Sequence, residues 1–84
     1  YDLAWSRESA QIKGYESEVA GDADIMVVPN ITAGNILGKS LIYAANAKMA
    51  GFIVGAQVPI VLTSRGASTQ EKYLSLAISA SAVK

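Results

Sequence analysis

Cysteine and histidine are both absent from the 84 residues. That removes a thiol nucleophile, an imidazole base and a Cys/His zinc site from this stretch, so no metal centre is expected. Lack of cysteine fits a reducing, cytoplasmic setting. Aromatics are few: Trp5, Phe52 and four tyrosines. Scattered as they are, Trp5, Tyr15, Tyr43, Phe52 and Tyr73 read as packing residues rather than a base-stacking platform. Lys and Arg together number seven, too sparse for a nucleic-acid footprint. Long apolar runs are missing too. The stretch from Met49 to Leu62 is broken by Gln57 and Pro59 and is too short to span a bilayer. No signal-like segment is visible.

What is present is apolar and unevenly charged. Apolar residues make up 51% of the chain, and formal charges cancel. Residues 1–24 carry Asp2, Glu8, Glu16, Glu18, Asp22 and Asp24 against Arg7 and Lys13. From residue 25 onward, Lys39, Lys48, Arg65, Lys72 and Lys84 face Glu71 alone. A mildly basic later part suits an anionic small molecule, although solvated surface charge explains most single lysines. A core of this size is marginal on its own. Residues 1–84 therefore read as one fragment of a longer chain, with apolar surface left for a partner to cover.

Ser6 can cap a short helix over about Arg7–Lys13, with Gly14 as its stop. Residues 14–24 are polar and acidic, a loop. The β-branched run over residues 23–28 reads as a buried strand, ended by Pro29. From Ala33 to Met49 the pattern turns helical: Leu37, Leu41, Ala45 and Met49 fall four apart, Thr32 is placed to cap, and Gly51 marks the end. Phe52-Ile53-Val54 and Ile60-Val61-Leu62 are two further strands. Their short link favours an antiparallel hairpin. A last helix over about residues 69–83 presents Leu74, Ala77, Ile78 and Ser81 on one face. The order α-β-α-β-β-α implies an α/β fold, a mixed sheet flanked by helices.

Two polar loops follow apolar runs and precede helices, the place where ligands bind at the edge of a parallel sheet. In the first, Asn30, Thr32, Gly34 and Asn35 offer small polar groups and amides at a helix start, which favour an anion. An ordinary strand-to-helix turn explains the same residues. In the second, Ser64 offers a hydroxyl, and Arg65 a planar fork suited to phosphate. A solvated loop arginine is the plainer account. Glu71 is placed either as a general base or as the return arm of a capping box with Ser68. No Walker lysine-serine pair and no Gly-x-Gly-x-x-Gly is present. The two loops are expected to face one cleft.

The runs Ala23-Asp24-Ile25-Met26-Val27-Val28-Pro29-Asn30, Ala33-Gly34-Asn35-Ile36 with Lys39, and Thr63-Ser64-Arg65-Gly66 resemble the C-terminal part of the phosphate acetyl/butyryltransferases. The Glu18-Val19-Ala20-Gly21 approach and the run Pro59 to Arg65 look more like the butyryl enzymes. The resemblance covers nearly the whole chain. It implies a two-domain α/β fold related to isocitrate dehydrogenase, with the active site between the domains. It implies reversible transfer of a short acyl group between coenzyme A and inorganic phosphate, with coenzyme A a substrate and no permanent cofactor. Partners implied are acyl-CoA, acyl phosphate, the rest of the longer chain and a second copy. Arg65 matches a phosphate-binding arginine, and Ser64 the serine beside it at the reacting acyl group or sulfur. Glu71 falls where acetyltransferases carry an aspartate proposed as the base. Asn30 replaces a common aspartate, and Gly38 stands where acetyltransferases often have tyrosine. The other readings are a non-catalytic anion-binding or dimerisation remnant of that fold, and a related lipid-synthesis acyltransferase using acyl carrier protein.

Overall fold

The computed structural model describes residues 1–83 and divides into two compact units, residues 1–34 and the remainder. Four helices are formed: α1 (Asp2–Trp5), α2 (Arg7–Ile12), α3 (Ile31–Ala45) and α4 (Thr69–Ser81). The boundary between the units falls inside α3, after Gly34.

In the first unit, α2 forms as its local signals dictate. Ser6 has extended backbone, and its Oγ accepts the Ser9 N–H at 3.1 Å. At the other end, Gly14 takes φ +63°. The Gly14 N–H donates to the Gln11 carbonyl at 3.1 Å and the Tyr15 N–H to the Ala10 carbonyl at 2.9 Å. Those are the paired bonds of a Schellman end, which satisfy carbonyls the helix cannot. The expected loop then folds back. The Gly21 N–H donates to the Leu3 carbonyl at 2.8 Å and the Ala23 N–H to the Ala4 carbonyl at 3.2 Å. Gly21, at φ +68°, lies so near the Arg7 backbone that a Cβ there would collide with it. Exposed ion pairs Arg7–Asp22 (3.5 Å) and Lys13–Asp2 (2.6 Å) decorate this fold-back. The Lys13 hydrogen bond holds the Asp2 carboxyl below its ordinary pKa.

The expected strand over residues 23–28 is not formed as part of a sheet. Residues 25–28 alternate, with Ile25 and Val27 exposed and Met26 and Val28 half-buried. Alternation is the period of a strand, but no ladder partner is present among the described residues. Val27 is left 89% exposed. In the second unit the expected hairpin shrinks to one antiparallel bridge, Ile53 to Ile60, closed by the Ile53 N–H on the Ile60 carbonyl at 2.9 Å. The antiparallel sense is as expected; the mixed sheet is not. Local β-propensity needs neighbouring strands and a buried face before it yields a ladder.

Both longer helices also differ from expectation. α3 begins at Ile31, so Thr32 lies inside the first turn rather than at the cap. It ends at Ala45, four residues before Met49. Asn46 takes φ +53°, and the Ala47 N–H turns back to the Leu41 carbonyl at 2.9 Å. Asn tolerates the left-handed region better than most residues and so stops the helix before Gly51. α4 buries Ser75 (1% exposed) and Ser79 (4%), not the expected stripe. Leu74 is half-buried, while Ala77, Ile78 and Ser81 are exposed. A small hydroxyl at 75 lets backbone come close: the Gly51 N–H donates to Ser75 Oγ at 3.2 Å.

Ala10 is the one fully buried apolar residue among those described. Trp5, Tyr15, Tyr43 and Tyr73 are exposed instead of packed, and Phe52 is half-buried. Trp5 meets Tyr1 as a tilted pair with ring centroids 6.4 Å apart. The small core matches the expectation from chain size.

Candidate functional site

The first loop is built around Asn30. Its Oδ1 accepts the Ala33 N–H at 2.9 Å, and its carbonyl accepts the Gly34 N–H at 3.1 Å. Asn30 thus caps α3, the role expected of Thr32. An Asn at this position satisfies an amide that the helix leaves open. Thr32 is exposed on the first turn, and Asn35 is exposed one turn further on. Gly34 has a packing reason. A Cβ there would sit 3.1 Å from Val28 Cγ2, so the bare backbone lets the first turn of α3 lie close to Val28. Asn30, Thr32 and Gly34 belong to the first unit, and Asn35 to the second.

The second loop and α4 form one local arrangement in the second unit. The Ala67 N–H donates to the Ser64 carbonyl at 3.0 Å, closing a turn with Arg65 and Gly66 at its corner. Ser64 and Arg65 are exposed. Among the described residues Arg65 enters no ion pair. Ser68 then caps α4: its backbone is extended and its Oγ accepts the Glu71 N–H at 3.1 Å. A capping box has a second bond, from the glutamate back to the cap amide. Among the described residues that return bond is not made. The half-buried Glu71 instead helps line an open hollow of about 210 Å³, together with the exposed Lys48, Met49, Ser68 and Gln70 and the half-buried Ile42 and Leu74.

Sequence reading missed this cavity. Ile42, Leu74 and Met49 look like core positions of two helices. The one signal was Asn46, whose helix-stopping geometry turns the chain so that Lys48 and Met49 reach the start of α4. Arg65, Ser64 and Glu71 share a single loop-and-helix start, as expected. Among the described residues no cluster of three metal-binding side chains occurs, and no helix is long and apolar enough to cross a membrane.

Likeness to known proteins sets the chain in a family of acyltransferases. A family model described as Phosphate acetyl/butaryl transferase matches residues 1–80, and the chain belongs to that family. The match leaves out only residues 81–84 of the chain. A phosphate acetyltransferase of Thermotoga maritima is 52% identical over 94% of this chain and 27% of its own length. A phosphate butyryltransferase of Clostridium acetobutylicum is 47% identical over 94% of this chain and 26% of its own length. Similar identities to both give no preference for the butyryl enzymes. The crystal structure of a branched-chain phosphotransacylase from Enterococcus faecalis V583 superposes with a TM-score of 0.82 at 51% identity, over 94% of this chain and 30% of that one. The chain therefore spans about a quarter of the curated relatives it matches.

Proposed function

We propose that this chain is part of an enzyme that reversibly transfers a short acyl group, acetyl or butyryl, between coenzyme A and inorganic phosphate. The observation that carries the reading is the Ser64–Arg65 turn beside Glu71, in a chain about half identical to acetyl- and butyryltransferases. Arg65 takes the phosphate or acyl phosphate through two parallel N–H bonds. Ser64 contacts the acyl oxygen or the sulfur. Asn30, Thr32, Gly34 and Asn35 line the substrate path on the other loop. No permanent cofactor or metal is assigned.

In the forward direction a phosphate oxygen attacks the thioester carbonyl carbon and a C–O bond forms. The oxyanion collapses, the C–S bond breaks, and the coenzyme A thiolate leaves. In reverse, Glu71 accepts the thiol proton, and the thiolate attacks the acyl phosphate carbon and expels phosphate. Donors held at the oxyanion lower the barrier as charge develops, and holding both substrates together supplies much of the rest.

Ile25 and Val27, exposed on an apolar segment without a ladder, support a larger sheet completed by further polypeptide of the enzyme or a second copy. We place the site in the cleft of a two-domain fold like that of isocitrate dehydrogenase, in the cytoplasm. Free thiol released from butyryl-CoA by the full-length protein tests the reading. Release that depends on phosphate is expected. A folded full-length protein that releases no thiol, or does so equally without phosphate, is the non-catalytic remnant instead.

A further inference from the structure

We infer that the cavity between the end of α3 and the start of α4 receives the acyl chain, and that Met49 sets the chain length accepted. The inference rests on the acyl-transfer reading above. At about 210 Å³ the cavity is smaller than the roughly 300–1,000 Å³ of pockets for drug-sized ligands. It therefore suits a group of a few heavy atoms, not the nucleotide of coenzyme A. Its lining combines the apolar Ile42, Met49 and Leu74 with the polar Lys48, Ser68, Gln70 and Glu71. A short acyl thioester has that same division, an apolar tail joined to a reacting polar centre. A thiol-bearing substrate brings Glu71 a proton to accept.

Met49 is the adjustable part of the wall. A Cβ built on Gly38 would come within 3.2 Å of Met49 Cε, so the missing side chain at 38 is what leaves the thioether methyl its place. Methionine is unbranched and fits irregular spaces, so this wall yields to acyl groups of different length. A pocket changed by one methylene typically discriminates by about 10- to 200-fold.

The test is the ratio of kcat/KM for butyryl-CoA to that for acetyl-CoA in the full-length enzyme. Met49→Ala raises the ratio about tenfold and Met49→Phe lowers it about tenfold. Opposite shifts from two changes at one position are not what a purely structural residue gives. Ile42→Val, a one-methyl truncation of the same wall, guards against misfolding of the larger changes. It moves the ratio in the Met49→Ala direction by about fourfold, from roughly 0.8 kcal/mol per methylene. Variants that melt like the parent and exchange acyl groups with the parental ratio overturn the inference and leave the acyl-transfer reading standing. A parent without phosphate-dependent exchange overturns both.

Discussion

The Gly51 amide donates to the hydroxyl of Ser75 across 24 positions of sequence, at 3.2 Å. Ser75 is the most buried side chain described, at 1% exposure. One hydrogen bond thus ties the segment after α3 to the middle of α4.

Ser75→Ala is expected to lower stability by about 1 kcal/mol, the typical net worth of such a bond. Ser75→Leu is expected to cost about 1–3 kcal/mol, because extra methylenes have no room there. Thermal or urea unfolding of the full-length protein measures both. A Leu variant as stable as the parent would show that the space around residue 75 is loose.

Arg65→Ala is expected to reduce kcat/KM sharply and to raise the KM for phosphate or acyl phosphate. Arg65 is exposed in this chain; once a bound phosphate buries it in the assembled enzyme, losing one partner of the pair typically costs about 2–5 kcal/mol. That is roughly 30- to several-thousand-fold at about 1.4 kcal/mol per decade. Arg65→Lys recovers only part, since a point charge does not reproduce the fork. Steady-state kinetics with each substrate varied decides it: parental values for both, in a folded protein, remove Arg65 from the phosphate site.

Gly21→Ala is expected to destabilise the fold-back over α2. The φ of +68° disfavours any Cβ, and the new methyl would lie 2.8 Å from Arg7 Cα besides colliding with its neighbours. Left-handed backbone in a non-glycine residue typically costs about 1–3 kcal/mol. Gly14 has the same backbone sign but open space around it, so Gly14→Ala is expected to cost less. Comparing the two melting temperatures separates steric clash from backbone strain.

The Asp2–Lys13 pair gives a pH dependence of known sign. The Lys13 hydrogen bond lowers the folded-state pKa of Asp2. Its contribution is therefore fully present above the unfolded carboxylate value and is lost as pH falls through the lower, folded value. Lys13→Met is expected to return the Asp2 titration toward its ordinary position. Carboxyl chemical shifts followed through acid pH report it, and an unmoved titration would assign the shift to another neighbour.

Local chemistry was legible; non-local pairing was not. Ser6 and Gly14 delimit α2 through bonds spanning three to five residues, and both ends can be read from sequence. The run before Pro29 shows a strand's alternation of exposed and half-buried side chains without a partner. Its ladder depends on chain segments that no local pattern specifies. The face of α4 was misread for a related reason. Leu74, Ala77 and Ile78 are more apolar than Ser75 and Ser79, yet small size governs where backbone comes close. At the site, Ser64, Arg65 and Glu71 were visible as chemistry-bearing types near one helix start. Lys48 and Met49 were not, because reaching that start depends on a stop at Asn46 that a longer helical stripe concealed.

That early stop also changes how far the chain travels. Five more residues in helix would advance about 7 Å along the axis. Beyond Asn46 the chain instead turns back, with the Ala47 N–H on the Leu41 carbonyl. Asn46 thus ends a rigid rod and begins a strap, one that carries a lysine and a methionine to the first turn of another helix before it is anchored at Gly51. Substituting Asn46 would change a length, and with it the place where Lys48 and Met49 arrive.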